Sequence, residues 1–209
     1  VFALLMVCAV VGIMKYISGS YGDYARFIRL SLLFFLLILM NSQLNNMVVF
    51  IRKGMQSELQ HEFALTDHLT KFYNRAGFSE HMGEYEKILT EGKPFAVIQF
   101  DVNNLKQVND NQGHEKGDEL ICLASSGIYH SFGMVGKCYR MGGDEFQVIL
   151  TCENAKEVYE QGIADLETYC GYANSMEDRT FDVRIAHGFA EAKPGNSIRD
   201  VQDRADVLM

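Results

Sequence analysis

The 209-residue sequence has no Cys-x-x-Cys pair and an odd number of cysteines, Cys8, Cys122, Cys138, Cys152 and Cys170. That excludes a disulfide framework and a zinc cluster, and leaves reduced thiols, mostly in the core of a cytoplasmic domain. There is no run rich in Lys and Arg, and the formal net charge is -8. Affinity for a nucleic-acid polymer comes mostly from neutralising phosphates, so that partner is set aside. A single nucleotide is not, because it needs only a few placed cations and usually a metal. No internal repeat or low-complexity stretch is visible. No A-x-A-like cleavage site follows the first apolar run, and a second apolar run comes soon after, which favours membrane helices over a signal peptide.

Apolar residues crowd the N-terminal quarter. Val1 to Met14 is unbroken (VFALLMVCAVVGIM). At about 1.5 Å per residue it is short for a bilayer core of roughly 30 Å, unless it extends through Tyr16 and Ile17 with Lys15 snorkelling. A Gly/Ser/Tyr turn follows from Ser18 to Tyr24, then a second segment from Phe27 to Ile51. The expected layout is a transmembrane region over 1–51, with helices at about 1–17 and 27–51 in contact with membrane lipid. Asn41, Ser42, Gln43, Asn45 and Asn46 form either a signal-transmitting helix contact or polar faces packed in a bundle. Lys15, Arg26 and Arg29 nearly balance Arg52 and Lys53, so charge leaves the topology open. Leu44, Val48, Ile51, Met55, Leu59 and Phe63 recur every three or four positions. They predict one helix leaving the membrane with a seam for a partner, interrupted at Gly54, with residues 52–66 as a stalk. The sequence starts at Val1 and stops at Met209 inside an expected helix, so it is expected to be part of a longer chain.

The remainder alternates helix and strand. Helices are predicted over Arg75 to Thr90, Asn103 to Asp110, Lys116 to Phe132 and Asn154 to Asn174, and from Ile198 onward. Strands are predicted over Pro94 to Asp101, Val135 to Met141, Phe146 to Leu150 and Phe181 to Ala190. Two adjacent strands around Gly142-Gly143 imply an antiparallel pair, so the sheet is not purely parallel.

The chemistry concentrates in Arg140-Met141-Gly142-Gly143-Asp144-Glu145-Phe146. Either glycine can take φ > 0 at little cost, and without Cβ atoms both let a phosphate approach the backbone. Adjacent carboxylates repel each other unless a cation is present, and hard oxygen ligands there suit Mg²⁺ arriving with substrate phosphates. Asp101 ends the strand PFAVIQF, at the kind of strand end that faces a ligand crevice in α/β sheets. If the two strands are neighbours, Asp101 joins Asp144 and Glu145 in a phosphoryl-transfer site.

Taken in order, Asp67-His68-Leu69-Thr70 with Asn74-Arg75, Phe100-Asp101, Lys106, Asn109-Asp110, Gly113-His114, Gly117-Asp118 and Gly142-Gly143-Asp144-Glu145-Phe146 resemble the motif series of GGDEF-domain diguanylate cyclases. The resemblance covers about Thr66 to Met209 and implies an α/β fold of the palm-like nucleotidyl cyclase kind. Its central sheet would be mixed, largely antiparallel and flanked by helices, forming a GGDEF domain over 67–209. It implies condensation of two GTP into cyclic di-GMP by a homodimer of domains. GTP then places the domain in the cytoplasm, beneath a multi-pass anchor in the cell membrane. Asp101, the backbone carbonyl of Val102, Asp144 and Glu145 would bind Mg²⁺ or Mn²⁺. Asn109 and Asp118 would read guanine, and Lys106, Gly142 and Gly143 would meet the phosphates. Leu105 and Val108 would pack beneath Lys106.

The chain departs from the pattern at three places. Asn103 stands where the family often has a second Asp. Gly133 and Gly136 stand where the family's inhibitory site has Arg and Asp, so feedback there should be absent. The Lys and Arg that clamp phosphates after the last helix would lie beyond Met209. Among other polar residues, His114 reads as a turn residue bonding the backbone, Asp67 and Arg75 as caps and a salt bridge, and His187 as packing. The rival functions are a catalytically silent GTP-binding module and a cyclase acting on another nucleotide.

Overall fold

The computed structural model describes residues 2–19, 21–176 and 179–209. The chain divides into two units, residues 1–60 and 61–209. In the first, helix α1 (Phe2–Ile17) ends at Ser18 and Gly19, with Gly19 at φ +74. Helix α2 then runs unbroken from Tyr21 to Leu65. Gly54 therefore does not interrupt the helix, since one glycine costs a helix only about 1 kcal/mol against alanine. Among the described residues only Ile28–Lys53, 26 residues, is long and apolar enough to cross a membrane. The 16 residues of α1 reach about 24 Å, short of the roughly 30 Å core, so only one of the two expected spans meets the length requirement. The seam residues Leu44, Val48, Ile51, Met55 and Phe63 are exposed on α2, and the side chain of Leu59 lies outside the described ones, as does that of Cys8.

The second unit carries helices α3 (Arg75–Thr90), α4 (Leu105–Gln112), α5 (His114–Phe132), α6 (Ala155–Asn174) and α7 (Ile198–Val207). Its strands are β1 (Ala96–Val102), β2 (Gly136–Arg140), β3 (Glu145–Leu150) and β4 (Ile185–Glu191). They form one sheet in the order β2-β3-β1-β4, every neighbouring pair antiparallel. Strand β1 is apolar almost throughout because both faces of the sheet are covered. Ala96, Ile98, Phe100 and Val102 enter a core with Leu120, Ile121, Ile128 and Phe132 of α5 and Leu166 of α6. Val97 points the other way, into a second core with Phe78 and Tyr85 of α3 and Val201 and Ala205 of α7. Gln99 and Gln147 are cross-strand partners beside that second core. Gln147 is fully buried; its Oε1 accepts from Gln202 Nε2 at 3.0 Å, and its Nε2 has no partner.

Local chemistry sets the element ends. Asn74 caps α3, accepting from Gly77 N at 3.0 Å, and its Nδ2 donates to Ala64 O at 2.8 Å, tying the start of α3 to the last turn of α2. Ser197 and Asp200 form a capping box at the start of α7. Strand β4 starts at Ile185 rather than Phe181. Phe181 and Val183 are buried, but the Asn174 amide bonds both backbone groups of Val183, at 2.7 and 3.0 Å, and removes them from the ladder. His114 is an exposed first residue of α5 rather than a turn residue; Gly113, at φ +88, makes the turn. His187 packs against Tyr159 and accepts or donates a 2.9 Å hydrogen bond with its hydroxyl. Cys138 is buried, and Cys122, Cys152 and Cys170 are half-buried free thiols.

Candidate active site

The register of β1 against β3 places Asp101 directly opposite Glu145, with Phe100 opposite Phe146. Residues opposite one another share a sheet face, so the two acids lie together on the face away from Phe100. Val102 N donates to Asp144 O at 3.0 Å, which draws the third acid to the same sheet end. The turn itself is closed by Met141 N and Gly142 N donating to Glu145 O, at 2.8 and 3.3 Å. Burial pushes the Asp101 carboxyl above the usual carboxylate range, and the charges of Asp144 and Glu145 push the same way. A bound cation would relieve all three. Among the described residues no three His, Cys, Asp or Glu side chains form a ready-made ion cage. An incomplete acidic set still suits Mg²⁺, which keeps waters and takes substrate oxygens. The side chain of Val102 is buried in the core, so only its backbone is at the site's disposal.

Neither Gly142 nor Gly143 takes positive φ, contrary to the expectation from sequence. Their use is spatial. A Cβ on Gly142 would stand 2.9 Å from Glu145 Oε2, while Gly143 has open space around it. The first keeps room for a carboxylate, and the second leaves the backbone open to an incoming group.

The turn is held from behind by Arg140. Its Nη1 donates to Asp67 Oδ1 at 3.0 Å, its Nη2 to Gly143 O at 2.7 Å, and its Nε to Gly142 O and Gly143 O, both at 3.2 Å. Asp67 also accepts from Thr70 N and Oγ1, at 2.9 and 2.7 Å. Asp67 thus makes a salt bridge, but with Arg140 rather than Arg75, and its carboxylate closes the turn at Thr70 instead of capping a helix; Arg75 is an exposed first residue of α3. Sequence reasoning gave Arg140 no role. Its only signal was its position just before the glycines.

Asn109 and Gly117 meet across the α4–α5 turn. A Cβ on Gly117 would lie 1.9 Å from Asn109 Oδ1, so the Asn109 amide sits directly over Gly117, next to Asp118. Asp118 is exposed, as is Lys106 on the first turn of α4. Val108 is buried and Leu105 partly so, beneath Lys106 as expected. Asn104, the residue before α4, is left-handed at φ +64, and its side chain makes no cap. The first amides of α4 are therefore free of that competitor.

An antiparallel sheet covered by helices on both faces, with acids gathered at one end, defines a palm-like α/β domain. Residues 64–209 match the family model described as diguanylate cyclase, GGDEF domain, and the chain belongs to that family. Diguanylate cyclase DgcN of Escherichia coli K12 is 28% identical over 155 residues, 70% of this chain and 36% of DgcN. Diguanylate cyclase DosC of the same strain is 31% identical over 118 residues, 56% of this chain and 25% of DosC. The chain thus spans about a third or less of these relatives. The coiled coil and GGDEF domain of DgcB from Caulobacter crescentus, solved with c-di-GMP, superposes with a TM-score of 0.71 at 26% identity. That match covers 81% of this chain and 91% of the DgcB chain.

Proposed function

We propose that this GGDEF domain condenses two GTP into cyclic di-GMP, releasing two diphosphates, as a pair of domains on a membrane anchor. The observation that carries the reading is the register placing Asp101 opposite Glu145 and beside Asp144 at one sheet end. Asp101, Asp144, Glu145 and the Val102 carbonyl would hold Mg²⁺ or Mn²⁺. Such an ion, when bound, lowers the pKa of an attacking 3′-hydroxyl and neutralises charge at the α-phosphate.

The chain's own residues bind and orient. The Asp118 carboxylate accepts from guanine's ring N–H and exocyclic amino group, and the Asn109 amide completes the edge. Adenine lacks that donor pattern, which gives the preference for GTP over ATP. Lys106, the first amides of α4 and the open backbone at Gly143 receive phosphate oxygens. One domain holds one GTP, so two domains must face each other, and most of the rate gain comes from orienting two bound nucleotides. The exposed seam on α2 supports pairing.

Product feedback through the family's inhibitory positions is absent in this reading. A Cβ on Gly136 would meet Val148 Cγ1 at 2.7 Å and Ile149 O at 2.8 Å, so β3 packs where an acidic side chain would have to start. The anchor is the Ile28–Lys53 span, with the domain on the GTP-containing cytoplasmic side.

Incubating the full-length protein with GTP and Mg²⁺ tests the proposal. Cyclic di-GMP and diphosphate are expected. GTP that stays bound and unaltered would replace the enzyme with a silent GTP-binding module, and turnover of ATP would move it to another nucleotide specificity.

A further inference from the structure

A cavity of about 570 Å³ lies between the loop Thr70–Phe72 and helices α5 and α6, away from the acidic turn. That volume is ordinary for a small-molecule site. Its walls carry Lys71 and His130 and no carboxylate, on a chain whose formal net charge is -8. Buried Phe72 and exposed Tyr129 form one ring pair, with centroids 6.4 Å apart. His130 and Tyr169 form another, also at 6.4 Å. Gly133 lets the Tyr129 ring lie against the end of α5, since a Cβ there would stand 2.5 Å from Tyr129 Cδ2.

The serine and threonine hydroxyl protons on these walls are already committed. Ser126 Oγ donates to Cys122 O at 2.7 Å, and Thr70 Oγ1 donates to Asp67 Oδ1 at 2.7 Å. Donors for an anion are therefore Lys71, His130 and the hydroxyls of Tyr129 and Tyr169, while the rings offer flat apolar faces. Positive charge beside stacking surfaces suits a ligand that is both planar and anionic.

We propose that this cavity binds a planar aromatic anion of nucleoside-monophosphate size, and that its occupancy reaches the acidic turn through Asp67 and Arg140. The path is short. Thr70, in the cavity wall, is bonded to Asp67 by its amide and its hydroxyl. Lys71 N donates to Asp67 O at 2.9 Å, holding Lys71 left-handed at φ +64. Asp67 holds Arg140, which holds the carbonyls of Gly142 and Gly143. A ligand that moves Lys71 must move this chain of bonds. The binding half stands on the cavity alone, and the coupling half rests on the diguanylate cyclase reading.

Adenosine 5′-monophosphate (AMP) is a suitable probe, because its base lacks the donors that Asp118 would read. Calorimetric titration of the full chain should show one AMP per chain, with adenosine and inorganic phosphate each at least tenfold weaker. Lys71→Gln should weaken AMP at least tenfold, Ser126→Tyr should abolish binding by filling the cavity, and Asp118→Ala should leave it unchanged. No heat at millimolar AMP, equal binding of adenosine, or full binding by the Lys71→Gln variant would each overturn the site. Coupling is read as a severalfold change in GTP affinity on adding AMP, a measurement that needs no turnover. An unchanged GTP affinity would overturn the coupling. Failure of GTP turnover alone would sink the enzymatic reading and leave AMP binding standing.

Discussion

Arg140 Nη1 lies 3.0 Å from Asp67 Oδ1, and this pair joins the loop after α2 to the turn that carries Asp144 and Glu145. The two side chains are 14% and 16% exposed, so the pair is largely withdrawn from the solvent screening that weakens surface ion pairs. Asp67→Asn should cost about 1.5–3 kcal/mol of stability, the range for hydrogen bonds to charged groups. A double-mutant cycle with Arg140→Met, read by thermal melting, should show that most of this loss is shared between the two residues.

The same pair predicts a pH dependence. Burial pushes the Asp67 carboxyl up, but the Thr70 hydrogen bonds and the Arg140 hydrogen bond and charge outweigh it, leaving it below the usual value of 3.8. A carboxyl depressed in the folded state contributes stability that is fully present above its unfolded value and lost as pH falls through its folded one. The melting-temperature gap between wild type and Asp67→Asn should therefore be constant near neutrality and close as pH falls below about 4. A gap that widened in acid would contradict the assignment.

Asp101 should behave in the opposite sense. It is a carboxylate facing two others at a partly buried sheet end. Asp101→Asn should lower cyclase turnover at least about a hundredfold while leaving the melting temperature equal to or above that of the wild type. Mg²⁺ with GTP should raise the wild-type melting temperature and do so much less in the variant. A variant that lost stability and activity together would point to a structural role instead.

Gly117 offers a way to test the proposed base reading by Asn109 without disturbing the fold. Its added methyl would displace the end of the Asn109 side chain, which is flexible, rather than any backbone atom. Gly117→Ala within α5 should leave stability unchanged or raised by up to about 1 kcal/mol, because alanine favours helix. GTP affinity should fall roughly tenfold, the worth of about one hydrogen bond. Asp118→Ala should lose affinity similarly and should also erase the preference over ATP. Titrations with both nucleotides check this.

Restoring charge at the inhibitory positions should fail for a packing reason. Gly136→Asp would drive its Cβ into Val148, Ile149 and Leu150 of β3. A loss of roughly 1–3 kcal/mol by thermal melting is expected from such overpacking, with no gain in product binding.

The sequence by itself determined the element order and that the sheet is not purely parallel. The run PFAVIQF, broken only by Gln99, announces a strand, and the residues from Ile198 onward announce a helix. It also made the pair around Gly142 and Gly143 antiparallel, because two strands joined by so short a turn can only fold back on each other. These features are local: they follow from propensity, periodicity and turn length within a few residues. Only the tertiary structure decided that β1 pairs with β3 in the register that sets Asp101 against Glu145, that Arg140 takes Asp67 across 73 positions, and that Asn109 rests on Gly117. Such contacts depend on which surfaces meet once both cores close, and a residue's type carries no record of its distant neighbour.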